Sequence, residues 1–185
     1  MEKIRCGWCE KDDLYRKYHD EEWGKPVYDD ETIFEFLVLE SFQAGLSWYT
    51  ILNKRENFRT AFDDFNYKKI EKYGDEKIEE LMQNAGIIRN RLKILATINN
   101  AQKFQEVQKE FGSFSKYIWS FVNGKPIQSK FIDLKQVTAT TEISDALAKD
   151  LKKHGFKFMG STVVYAHMQA TGMVNDHLVD CWKHN

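Results

Sequence analysis

Proline is almost missing: there are two in 185 residues, against roughly 5% in average usage. Glycine is modest at ten. A chain so poor in turn and breaker residues suits long helices better than a turn-rich sandwich. Net charge is nearly absent too, because 27 basic residues meet 28 acidic ones and leave −1. A uniformly basic nucleic-acid binder is thereby excluded, while a local basic face is not. No stretch approaches the roughly 18 apolar residues of a membrane span. No signal-peptide core follows Met1 to Arg5, so the expectation is a cytosolic protein without a membrane partner. Three cysteines is an odd count. In a reducing compartment they read as metal ligands or buried thiols rather than disulfides.

What is present supports a folded core. Hydrophobic residues make up 42% and charged residues 30%, which argues against disorder. A chain of this length can bury roughly 70% of its unfolded surface and needs no disulfide framework. The reading is one domain over residues 1–185, or two small helical lobes sharing a core. No internal repeat or low-complexity linker interrupts it.

Helical signals dominate. Thr32 to Gln43 carries Ile33, Phe36, Leu37 and Glu40 at helical spacing, with Asp29 or Asp30 as cap. Gly45 breaks it, and Ser47 caps a second helix from Trp48 to Phe58. Further helices are expected over Asp75–Asn84, Arg89–Phe111 and Ser113–Val122. The second of these places Leu92, Leu95, Ala96 and Ile98 on its apolar side. Ser144 is expected to cap a helix running to about His154, and Ser161–Thr171 forms another, ended by Gly172. Only Gly124–Thr141 looks extended, and no period-2 alternation reaches strand length. The fold class is all-α, with roughly seven to nine helices.

Charge is segregated. Leu81 to Gln105 contains no acid but holds Arg89, Arg91, Lys93 and Lys103. Leu151 to Asn175 again has no acid, with Lys152, Lys153, His154 and Lys157. Either run alone reads as a solvated helix face. Together, each beside a glycine turn that opens a helix, they suggest phosphate contact, since free amides at a helix start bind phosphate oxygens.

Two constellations carry chemistry. His177 and Cys181 are four apart, on one face if helical, and Cys6 and His19 lie near the other end. This Cys2His2 set has the softness of a tetrahedral zinc site, and four protein ligands would make the metal structural. Spacing alone leaves the reading open between zinc and buried thiols beside a capping histidine. Cys9, in Cys6-Gly7-Trp8-Cys9, competes with His19 as a ligand. The second constellation gathers Trp8, Tyr15, Tyr18, Trp23, Trp48 and Tyr49 in the first fifty residues. Most such rings are core. Glu40, however, sits on the same stripe as Ile33, Phe36 and Leu37, and a carboxylate there is costly without partners. A ligand pocket is the alternative, in which rings and a carboxylate favour a cation.

The series Cys6-Gly7-Trp8, Tyr18-His19-Asp20 with Glu22-Trp23-Gly24, Leu39-Glu40 with Gln43-Ala44-Gly45-Leu46-Ser47-Trp48, Gly86-Ile87-Ile88-Arg89, and Asn175-Asp176-His177 with Cys181 resembles the DNA-3-methyladenine glycosylase I family. The likeness runs in order along nearly the whole chain. It implies an all-α, helix-hairpin-helix glycosylase-type bundle that hydrolyses the N-glycosidic bond of 3-methyladenine in alkylated double-stranded DNA. The products would be free 3-methyladenine and an abasic site, with no lyase step. The resemblance implies one structural zinc per chain on Cys6, His19, His177 and Cys181, joining segments around residues 1–24 and 143–185, with Cys9 a non-ligand. It implies catalytic roles for Glu40 and Tyr18 and a base pocket of Trp48, Trp8, Tyr15 and Trp23. Gly45 and Leu46 match the family's wedge. Lys157, Gly160, Ser161 and Thr162 match a hairpin that grips backbone phosphate. A monomer is expected. Asp176 is read as a cap or a partner of the adjoining ligand, not as a catalytic group. The rivals are a DNA-binding module without chemistry and a zinc hydrolase or deaminase with an open metal position.

Overall fold

The computed structural model describes residues 3–184, and within them the chain is helical as expected. The elements are α1 (Asp13–Glu21), α2 (Asp30–Gln43), α3 (Trp48–Ala61), α4 (Tyr67–Ile70), α5 (Asp75–Gln83), α6 (Arg91–Phe111), α7 (Phe114–Ser120), α8 (Glu142–Lys153) and α9 (Ser161–Ala170). One small pairing departs from the all-helical expectation. β1 (Ile127–Gln128) lies parallel to β2 (Val174–Asn175). Two residues per strand are too few for an alternation to show in sequence. No helix among the described residues is long and apolar enough to cross a membrane.

Most helix starts follow their caps. Asp29 accepts from the Thr32 amide and Ser47 from the Thr50 amide, each satisfying a donor the helix cannot. Thr141, not Ser144, caps α8. Ser144 is the third helical residue and returns the bond to the Thr141 amide, a reciprocal capping box. Two helices escaped the sequence reading. α1 is short and polar, and α4 is a single turn.

α2 is the axis of the molecule. Its residues from Ile33 to Phe42 are buried, Glu35 alone being only half-buried, so the helix is enclosed all round rather than on one stripe. It packs against α3, α6, α7 and α9. Glu40 therefore lies at the centre of the fold. α6 corrects the apolar face expected for it. Leu92 is 67% exposed and Leu95 42%, while Ala96 is buried and Ile98 packs on the core as expected, and Lys93, Thr97 and Asn100 are buried beside them.

The chain ends are brought together around α9. The Gly24 amide donates to the Gln169 carbonyl, and Val27 to Thr171. Gly172 has φ +67°, and a Cβ there would lie 2.3 Å from the Lys25 carbonyl carbon. Only glycine permits this crossing of two backbones.

Candidate active site and metal centre

α1, α2, α3 and α9 converge on a cavity of about 230 Å³ lined by Trp8, Tyr15, Tyr18, Trp23, Glu40, Gln43, Trp48, Leu134, Val137, Ala166, Gln169 and Asp176. All six residues expected to form the pocket are there. Tyr18 and Trp48 have ring centroids 5.3 Å apart, and Trp8 lies 4.9 Å from Tyr15 and 5.0 Å from Trp23. A small cluster of Tyr18, Phe36, Leu52 and Ala170 supports them. The rings are held from outside. Asp12 caps α1 and accepts from the Tyr49 hydroxyl on α3. Arg55 of α3 bridges Glu22 and Glu35 at 2.7 Å each.

Glu40 is 3% exposed. Its Oε2 has no hydrogen-bond partner among the described residues, and neither does the Trp48 indole N–H. Desolvation pushes the Glu40 carboxyl up to about 8, because burial without a partner penalises the charged form. Burial likewise raises the Tyr18 phenol, with the Glu40 charge adding to it. Among the described residues, no lysine or arginine lines the cavity, whereas two carboxylates do. A cationic ligand would meet no like charge there and would itself favour ionisation of the Glu40 carboxyl.

Asp176 corrects its expected role. Among the described residues it neither caps a helix nor bonds a neighbouring histidine. Its Oδ1 accepts from the Ser129 hydroxyl at 2.6 Å, and its Oδ2 from Tyr165 and Gln169 at 2.6 and 2.8 Å. It forms part of the cavity wall.

Beside the cavity runs a groove lined by Glu40, Gln43, Ala44, Gly45 and Leu46 on one side and Thr162, Val163 and Ala166 on the other. Gly45 takes φ +82° and turns the chain so that Leu46, 42% exposed, stands at the rim. Opposite is the hairpin between α8 and α9, with Gly155 at φ +84° and Phe158 at φ +57°. Lys157, Gly160 and Thr162 are exposed. The Ser161 hydroxyl is committed to Asp145 and Ser144, which leaves its backbone for any contact. Of the basic runs, Lys93 is 6% exposed and so belongs to no basic surface.

Cys6, His19 and Cys181 place their donor atoms within 4.8 Å of one another. His177 adjoins them: its ring is 4.9 Å from that of His19, centroid to centroid. Its Nε2 is buried with no partner among the described residues. His19 Nδ1 faces Asp20 at 2.8 Å and His177 Nδ1 faces the Asn175 side-chain oxygen at 2.7 Å. Both Nδ1 atoms donate to these oxygens, which leaves both Nε2 atoms as acceptors: His19 Nε2 lies 3.4 Å from the Cys181 sulfur and His177 Nε2 has no partner among the described residues, the tautomer metal-ligating histidines adopt. Cys9 stands apart and donates its thiol to the Cys6 carbonyl. The donor set fits a closed thiolate–imidazole metal site.

A family model described as methyladenine glycosylase matches residues 8–184. The chain belongs to that family. Among curated proteins, it is 48% identical over 177 residues to the Escherichia coli (strain K12) DNA-3-methyladenine glycosylase 1, covering 96% of this chain and 95% of that one. Among solved structures it matches a crystal structure of 3-methyladenine DNA glycosylase I with TM-score 0.95 and 47% identity, over 98% of this chain and 100% of that one. It also matches a variant of such an enzyme in complex with 3-methyladenine, with TM-score 0.94 and 39% identity, over 98% and 97% of the two chains. The helical architecture is thus that of the glycosylase I family.

The family motifs do not mark every cavity residue. Leu134 and Val137 come from the segment between β1 and α8, which carries little periodicity. Gln169 and Ala166 sit one turn apart on α9, and nothing in their spacing separates them from packing residues.

Proposed function

We propose that this chain excises 3-methyladenine from alkylated double-stranded DNA by hydrolysing the N-glycosidic bond. The single observation that carries the reading is the buried Glu40 carboxyl, its Oε2 without a partner, in a ring-lined cavity that no lysine or arginine lines among the described residues. N3-alkylation leaves the adenine positively charged. Such a base supplies the charge and the hydrogen bonds that the cavity lacks.

The geometry supports the following sequence of steps. A base inside a duplex is out of reach, so it is flipped out at a cost of a few kcal/mol. Leu46 enters the gap as an apolar wedge. Backbone amides at the start of α9 and Lys157 hold phosphate. The base stacks on Trp48, with Trp8, Tyr15 and Trp23 closing the box. Glu40 accepts from the adenine amino group. Guanine offers an acceptor oxygen at that position and is disfavoured. Tyr18 orients the base. Water adds to the sugar carbon as the bond to the base breaks. The bonding pair leaves with the base and neutralises its charge, and the water's proton passes to solvent. No lysine is required, so no lyase step follows.

Cys6, His19, His177 and Cys181 would hold one zinc ion. With four protein ligands its contribution is structural, tying the first and last segments of a single domain together. The protein acts as a monomer in this reading.

The test is the identity of released purines. Methylated duplex DNA is incubated with the protein, and the free bases are separated by chromatography. The expected result is 3-methyladenine without 7-methylguanine. Folded protein that binds the DNA but releases no purine would overturn the proposal in favour of a binding module.

A further inference from the structure

Three polar side chains of α6, Lys93, Asn99 and Asn100, hold the backbone of loops beside the groove, Lys93 and Asn100 from buried positions. Lys93 Nζ donates to the Phe42 carbonyl at 2.9 Å and to the Ala44 carbonyl at 3.1 Å. No ion pair engages it among the described residues. Its charge therefore rests on carbonyls at the end of α2, which lack helical partners and form the negative end of the helix dipole. These carbonyls flank the turn that presents Gly45 and Leu46.

Two turns further along α6, Asn100 pairs with the backbone N–H and C=O of one residue of the α8–α9 hairpin. Its amide donates to the Lys157 carbonyl at 2.9 Å, and its oxygen accepts from the Lys157 amide at 2.8 Å. Asn99 adds a bond to the Gly155 carbonyl at 2.9 Å. Asn100 is 1% exposed. Lys93, Thr97 and Asn100 lie at i, i+4 and i+7, one face of the helix. Seven residues of α-helix span about 10.5 Å.

We infer that α6 is a rigid spacer that fixes the wedge turn relative to the hairpin, with Lys93 and Asn100 as its positioning residues. The inference rests on the proposed excision of a flipped base. Gripping phosphate at the hairpin is useful only if the wedge stands at a set distance from it. One helix bonded to both loops supplies that distance without touching the cavity. Neither residue lines the cavity, so the base site itself is left out of the coupling.

The test compares wild-type, Lys93→Met, Lys93→Arg and Asn100→Ala proteins. Release of 3-methyladenine from methylated duplex DNA is followed with enzyme in excess, giving a maximal rate and a half-saturating enzyme concentration. Binding of free 3-methyladenine is followed by tryptophan fluorescence. The expected result for Lys93→Met is a maximal rate at least tenfold lower, with half-saturation and free-base binding within twofold of wild type. Lys93→Arg donates to the same carbonyls and recovers most of the rate. Asn100→Ala raises half-saturation at least tenfold with free-base binding unchanged. Variants that lose free-base binding in step with excision would overturn the spacer and leave these residues as general supports. Variants equal to wild type in every parameter would also overturn it. A wild-type protein that releases no 3-methyladenine would overturn the excision reading and the spacer with it, whereas an active wild type confines any failure to the spacer.

Discussion

Glu40 and Trp48 line the same cavity and keep opposite, unspent hydrogen-bonding capacity at the buried Oε2 of one and the buried Nε1 of the other. One accepts, the other donates, and neither meets a protein partner among the described residues. A buried polar atom left unpaired costs roughly 1–3 kcal/mol. Two of them beside five aromatic residues, with no lysine or arginine lining the cavity among the described residues, make a poor core and a good site for a charged base. Trp48→Phe keeps the ring and removes the donor. It should weaken binding of free 3-methyladenine several-fold, as expected for about 1 kcal/mol. Trp48→Ala also removes stacking, worth about 1–3 kcal/mol per base, and should weaken binding further. Calorimetric titration of both variants checks the order.

The Glu40 carboxyl sets a pH dependence in the ligand-free protein. Its folded pKa is raised by burial to about 8, from an ordinary value of 4.5. Stability contributed by a raised group is fully present below the unfolded value and is lost as pH rises through the folded one. Wild type therefore loses stability between about pH 4.5 and 8, and Glu40→Gln does not. Each pKa unit corresponds to about 1.4 kcal/mol, so the variant should gain on the order of a few kcal/mol on wild type between pH 4 and pH 9. Urea unfolding at three pH values measures it. A constant difference across that range would show that Glu40 is not held neutral by burial.

How far the site was legible depended on the kind of residue. Caps such as Asp29 and Ser47 act through bonds to residues three positions on, so sequence shows them directly. Glu40 stood out because a carboxylate on an apolar stripe has few explanations. Lys93 was misread as surface charge, since its partners are carbonyls about fifty positions away and leave no sequence pattern. Leu92 and Leu95 misled for a different reason: the apolar face that α6 buries runs through Ile94, Ala101, Phe104 and Val107, and the two leucines lie off it. Asp176 became a wall residue only once β1 brought Ser129 alongside β2. The order of the family motifs, rather than any local rule, pointed to the four metal donors.

Metal analysis should find one zinc per chain. His177→Ala and Cys181→Ser should lower that occupancy, and Cys9→Ser should leave it unchanged, since the Cys9 thiol points at a carbonyl rather than at the donor group. A chelator should lower the melting temperature. Loss of metal in Cys9→Ser would contradict the ligand set. Loss of base release at an unchanged melting temperature would contradict a structural role.

Gly172→Ala should be among the most damaging single substitutions. The added methyl would meet the Lys25 carbonyl carbon at 2.3 Å and the Pro26 nitrogen at 2.4 Å, at a φ of +67°. The left-handed backbone alone costs about 1–2 kcal/mol for a non-glycine residue, and the clash is with backbone that cannot rotate away. A loss above about 2 kcal/mol in chemical denaturation is expected. A loss smaller than that would mean that the crossing of the two segments is looser than the structure describes.

The central claim is that Glu40 reads the damaged base within the cavity as the glycosidic bond breaks. Its most direct test is release of 3-methyladenine from methylated duplex DNA by Glu40→Gln, with enzyme in excess, beside a measurement of DNA binding. Hydrogen bonds to charged groups are worth about 1.5–3 kcal/mol, so the rate should fall at least tenfold while the protein stays folded and DNA affinity stays within a few-fold of wild type. Release at the wild-type rate would contradict the account, because the carboxylate would then be a buried structural group and the cavity would not be the site of excision.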